Sequence, residues 1–192
     1  MKRIGITGGI GSGKSYVANI IEKMGFPVYY SDIRSKELTN SHPIIRQGLI
    51  ELVGENVYFG EELDKKVLAT AIFSNDEIRL KVNQLIHPIV RQDFEDWAKA
   101  QKSELIFNEA AILFETGAFR NFDAVILVHA HEDLRLKRVL ARDVISQDEV
   151  KARMNNQMHD DEKKKMTHFH ILNDGEHPLL SQIENVIVKL LD

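Results

Sequence analysis

The feature that most limits what this 192-residue chain can become is a run near its start, Gly8-Gly9-Ile10-Gly11-Ser12-Gly13-Lys14-Ser15. It satisfies the spacing G-x-x-x-x-G-K-[ST] in full. The glycines let the backbone curl into a nest whose N–H groups converge on phosphate oxygens. A following helix adds the positive end of its dipole. Lys14 can then reach the β- and γ-phosphates as a point charge, and the Ser15 hydroxyl can ligate Mg²⁺. Gly9, Gly11, Ser12, Gly13, Lys14, Ser15 and the adjoining Tyr16 are the candidate nucleotide contacts, and Lys14 is also a candidate catalytic group. The motif needs a strand before it and a helix after it, and both are present. Residues 3–7 (RIGIT) form a short β-branched run ending at glycines, and Val17, Ile20, Ile21 and Met24 recur at helical spacing before Gly25. A glycine-rich turn with a stray lysine would bring neither. The motif does not choose a reaction, because kinases, GTPases and ATP-driven motors share it.

The rest of the chain alternates short apolar runs with longer helical patterns. Further strands are expected at residues 27–30, 105–108, 124–129 and 169–172. Strands separated by helices imply parallel βαβ units, hence an α/β fold of the P-loop NTPase type with about five parallel strands flanked by helices. The interval 33–102 is too long and too helical for a simple crossover and reads as an inserted helical subdomain. The expected division is a core of residues 1–32 and 103–192 around that insertion. Ile78, Val82, Leu85 and Ile89 share a helix face there, with Pro88 expected to kink or break it. Residues 132–165 are charged and helical and suit a lid beside the core.

Composition closes some doors. There is no cysteine, so disulfides, thiolate metal sites and a Cys nucleophile are excluded. A formal charge of −4 argues against a broad nucleic-acid surface. The apolar runs fall well short of the roughly 20 residues of a membrane span, so a cytoplasmic protein is expected.

Several side chains stand out as candidates for the chemistry. Asp32 follows the second strand, where ligands of open α/β sheets bind. It can accept the proton of an attacking hydroxyl or hold the metal's water shell; equally, it can cap the next helix. Glu109 follows the third long run as a metal-side acid, with Glu115 as a second candidate or as the partner of a basic side chain. Arg135, Arg138 and Arg142 share a helix face, by which they can neutralise a triphosphate or simply pair with Glu132, Asp133 and Asp143. Arg138 and Arg142 are taken as the catalytic candidates. Lys163-Lys164-Lys165 reads as a solvated face. His168 and His170 alternate as metal ligands do, without a third ligand at suggestive spacing. Asn173-Asp174-Gly175 reads as a turn able to offer backbone contacts to an adenine ring.

Taken in order, these residues resemble the dephospho-CoA kinase family. ITGGIGSGKS at residues 6–15 resembles that family's opening, and Asp32 matches its acid near the acceptor hydroxyl. Leu63-Asp64-Lys65 with Leu68, His87-Pro88, and Ile112-Leu113-Phe114-Glu115 match later segments. Arg138, Arg142 and Gln157 fit its lid pattern, and Asn173-Asp174-Gly175 its Asn-x-Gly turn. Three positions depart from the pattern: Ala111 for proline, His168 for aspartate and Tyr16 for threonine. The resemblance implies transfer of the ATP γ-phosphoryl group to the 3′-hydroxyl of dephospho-CoA, with Mg²⁺ on Ser15; Glu109 remains the metal-side acid expected from its place after the third run. The resemblance also implies nucleotide contacts at Asn173 and Gly175, and acceptor contacts at Asp32, His87 and Glu115. No nucleic acid or membrane partner is implied. Another small-molecule P-loop kinase is the alternative. A GTPase-type switch would want an Asn-Lys-x-Asp segment, which the chain lacks.

Overall fold

The five short runs expected as strands become five parallel strands. In the computed structural model, which describes residues 1–192, these are β1 (Lys2–Thr7), β2 (Val28–Tyr30), β5 (Leu105–Glu109), β6 (Ala124–His129) and β7 (Phe169–Leu172). Their order across the sheet is β2-β5-β1-β6-β7, and every pair is parallel. Parallel strands are covered on both faces, which is why they read as near-continuous apolar runs. Ile4, Ile6, Ile106, Phe107, Ile126, Leu127 and Val128 are fully buried. Alternate residues serve opposite faces. Ala124 and Ile126 join a core with Val17 and Ile21 of α1 (Lys14–Lys23) and Ile183 and Ile187 of α9 (Leu179–Leu191). Val125, between them, joins a separate cluster with Leu113 and Phe114.

By its internal contacts the chain divides into two units: residues Met1–Tyr30 with Gln101–Asp192, and residues Ser31–Ala100. The first unit holds the sheet and, between β6 and β7, three short helices: α6 (Glu132–Arg142), α7 (Gln147–Asn155) and α8 (Asp160–Met166). Helix α7 starts on a capping box in which Ser146 and Glu149 satisfy each other's backbone N–H groups.

The second unit contains α2 (Ser31–Ser41), α3 (Pro43–Val53), a small hairpin of β3 (Tyr58–Phe59) and β4 (Glu62–Leu63), α4 (Lys65–Ser74) and α5 (Asp76–Lys99). Its starts are chemically marked. Pro43 opens α3, the Asp64 carboxylate accepts from the N–H groups of Lys66 and Val67, and Asn75 accepts from those of Glu77 and Ile78. Its core gathers Leu38, Ile45, Leu49, Val57, Tyr58 and Val82. Pro88, expected to kink or break the helix, does not break it: α5 runs through it as one 24-residue helix. An interior proline costs roughly 3 kcal/mol. The apolar stripe of Leu85, Ile86, Ile89 and Val90, packed on this core from both sides of Pro88, offsets that cost.

Candidate active site

The site is built where β1 gives way to α1. Gly13 is the N-cap of α1, at φ 89°, a left-handed conformation that glycine adopts freely. A Cβ there would also run into the Asn173 carboxamide. Glu109 ends β5, in register with Ile6 of β1 on one side and Tyr30 of β2 on the other. Only 3% of it is exposed. Its Oε1 accepts a hydrogen bond of 3.0 Å from Ser15 Oγ and lies 3.8 Å from Lys14 Nζ. A buried carboxylate is costly unless paired, and these two groups pair it.

A hydroxyl and a carboxylate oxygen side by side are hard donors, the chemistry Mg²⁺ takes when nucleotide phosphates and water complete its shell. Ser15 and Glu109 therefore fit the metal expected at them. Glu109 is also placed to orient Lys14 towards the nest.

The turn after β7 acts as a brace. Asn173 is 8% exposed, and its Nδ2 donates to the Ser12 carbonyl at 2.8 Å. Arg138 donates to the Asn173 carbonyl at 2.9 Å and to Oδ1 at 3.4 Å. The Asn173 side chain thus holds the loop that would hold phosphate. Gly175 takes φ 89° beyond it. The neighbouring Asp174 carboxyl is held far below the usual carboxylate range by the His177 and Glu176 N–H groups. Tyr16 lies in the first turn of α1 with 63% of its surface exposed.

The three arginines that share a face in the sequence part company in the structure. Arg135 is buried, donates through Nε to the Ile10 carbonyl at 3.0 Å and pairs through Nη1 with Asp160 at 2.8 Å. Arg142 is exposed and forked onto its neighbour Asp143, which raises its already high pKa. In this state Arg142 makes the ordinary surface pair, and Arg135, not selected from the sequence, touches the loop. Gln157 joins it, accepting from the Ile10 N–H at 2.8 Å.

One expectation about charge needs correction. Lys163 is fully buried, not solvated, with Nζ 3.1 Å from Glu115 Oε1. The approach is off-line, so this is an ion pair in which Nζ lacks a well-aligned acceptor. Glu115 also accepts from the Met158 N–H at 2.9 Å, so its carboxylate ties α8 to the loop after β5. His168, where the resemblance expects aspartate, accepts through Nδ1 from the Val125 N–H at 3.2 Å. An imidazole nitrogen there supplies an acceptor, as a carboxylate would.

The remaining candidates belong to the second unit. Asp32 is the second residue of α2, inside its first turn rather than at a cap, where a carboxylate suits the helix dipole. His87 is half-buried on α5, and burial, with Arg91 adding to it, pushes its pKa down.

Comparison with known proteins agrees with this geometry. The family model described as dephospho-CoA kinase matches residues 2–178. A dephospho-CoA kinase of Bacteroides fragilis is 43% identical over 189 residues, 98% of this chain and 92% of that protein. Among solved structures, a Thermus thermophilus protein superposes with a TM-score of 0.87 at 33% identity, over 99% of this chain and 96% of that one. The dephospho-CoA kinase of Campylobacter jejuni superposes at 0.72 with 24% identity, over 98% and 96%, a likeness of fold.

Proposed function

The chain belongs to the dephospho-CoA kinase family, and on that premise we propose how its residues divide the transfer of a phosphoryl group from ATP to the 3′-hydroxyl of dephospho-CoA. The acceptor oxygen forms the new bond to the γ-phosphorus while the bond to the β–γ bridging oxygen breaks. The products are coenzyme A and ADP, and the hydroxyl proton must leave. Such a step needs positioning and charge neutralisation more than covalent help from the protein.

The reading is carried by one observation: Ser15 and Lys14 converge on the buried Glu109 carboxylate. Ser15 and Glu109 would hold Mg²⁺, which would supply positive charge to offset that of the phosphates. Lys14 then faces the β- and γ-phosphates, with the nest from Gly9 to Gly13 below them. Arg138, already on the Asn173 turn, adds a cation beside the nucleotide, and Arg142 joins it only by leaving Asp143. Backbone groups around Asn173 and Gly175 meet the base. Asp32 takes or orients the acceptor proton, supported by its place two residues beyond β2. The helical unit, with His87, holds the acceptor, and Glu115 serves it by anchoring α8. No helix is long and apolar enough to cross a membrane. The proposed setting is the cytoplasm, with no nucleic-acid partner.

The test is ADP release with ATP, Mg²⁺ and dephospho-CoA, run beside adenosine, AMP and a no-acceptor control. Release confined to dephospho-CoA, with coenzyme A identified by mass, is the expected result. Equal release with adenosine would overturn the acceptor assignment.

A further inference from the structure

Ile10, at the crest of the phosphate loop, is gripped in three ways. Its N–H donates to Gln157 and its carbonyl accepts from Arg135, at 2.8 and 3.0 Å. Its side chain packs into the apolar cluster joining α6 to α7, made of Val139, Val150 and Met154 with Leu136 and Ile145. The N–H and the carbonyl belong to the two successive peptide planes that meet at Ile10. Fixing both planes fixes φ and ψ at this residue, between two glycines that would otherwise turn freely. The direction of the next N–H groups, those of the nest, follows from it.

Arg135 is the centre of this grip. It is 9% exposed, and it fills the space that a Cβ on Gly9 would need. Its charge is answered by Asp160 at the start of α8, and α8 is moored by the Lys163–Glu115 pair. A guanidinium can serve both ends because its donors form a rigid fork, one arm on the Ile10 carbonyl and another on the carboxylate. A lysine has three donors but no fixed fork, so it holds the two ends less firmly.

We propose that Arg135 is a positioning residue for phosphoryl transfer: with Gln157 it clamps both peptide groups of Ile10, so that the phosphate loop and the α6–α7 pair move as one body. Phosphate binding in the nest is then felt by α7, with no direct contact between α7 and the nucleotide. The inference rests on the phosphate-loop reading above, which turnover of the unaltered enzyme with dephospho-CoA checks separately.

The first experiment needs no substitution. Amide hydrogen exchange of the whole protein is followed with and without a non-hydrolysable ATP analogue and Mg²⁺. Slowing of exchange in residues 147–155 together with residues 9–13 is expected; slowing in the loop with α7 unchanged overturns the clamp. The second compares Arg135→Gln with Arg135→Lys in steady-state kinetics. In Arg135→Gln, kcat/KM for ATP falls at least about tenfold while KM for dephospho-CoA stays within about twofold, and Arg135→Lys recovers part of the loss. Unchanged kinetics with a lowered Tm, or an equal rise in both KM values, would show that Arg135 only holds the fold together.

Discussion

Of the eight buried polar or charged side chains, seven lie in the sheet unit, among them Glu109, Arg135, Lys163 and Asn173; the helical unit has only Thr39. The helical unit instead buries Leu38, Ile45, Leu49, Val57 and Val82, and its charges pair outside, as Arg34 does with Glu37 and Asp93. Buried polar groups cost solvation that well-placed partners offset. Apolar packing tolerates changes that conserve volume. The contrast separates a region ordered by specific polar pairs from one held mainly by apolar packing.

The sharpest way to break that contrast is Lys14→Ala. Turnover should fall about 1,000-fold, because the lysine acts on phosphate charge; the accompanying loss of Tm, from removing its pairing with Glu109, is too small to account for it while the protein stays folded. Near-normal turnover would remove the phosphate loop from the chemistry. Next in size is the mooring of α8. Glu115→Gln leaves Lys163 buried without its counter-ion and should cost about 3 kcal/mol in urea unfolding. Lys163→Met removes the charge as well and should cost much less. Equal losses would show that the pair is net stabilising. In the helical unit, Leu49→Ala should cost about 2–4 kcal/mol by opening a cavity, with KM for ATP held within about twofold. A large rise in that KM would join the two regions energetically.

The smallest effect is one of pH, and it touches both units. Burial holds the pKa values of His87 and His129 below the ordinary 6.5. The folded state therefore prefers both rings neutral, and the unfolded chain takes up their protons first. Stability is full above pH 6.5 and declines as pH falls through and below that value, until the folded rings also protonate. His129→Gln should flatten part of this decline in a Tm series from pH 7.5 to 5. An unaltered slope would assign the effect to other groups.

Much of this was legible beforehand, for physical reasons. The five strands declare themselves because strands buried on both faces need β-branched runs, and the phosphate loop because phosphate binding dictates both spacing and residue type. Glu109 was legible from its place at a strand end. Arg135 was not, since nothing in a chain links residues 10, 135 and 160 before it folds. Lys163 was hidden by its neighbours: adjacent residues on a helix point about 100° apart, so a run of three lysines does not say which turns inward. At Pro88 the local cost that suggests a break is plain in the sequence, while the stripe that offsets it belongs to tertiary packing.

The strand order also has a consequence for how the protein is made. β1 has β5 and β6 as neighbours, and β2 sits at the edge beside β5 alone. The first two strands to leave the ribosome therefore have no partner until residues 105–109 emerge. At roughly 5–20 residues per second that wait lasts several seconds, during which two apolar strands stay unpaired. The contiguous stretch 31–100 needs no later residue for its own core and can gather while they wait, shortening the span that β1 and β2 must bridge to meet β5. Slowed synthesis or a weakened helical core would then show itself first as aggregation of nascent chains.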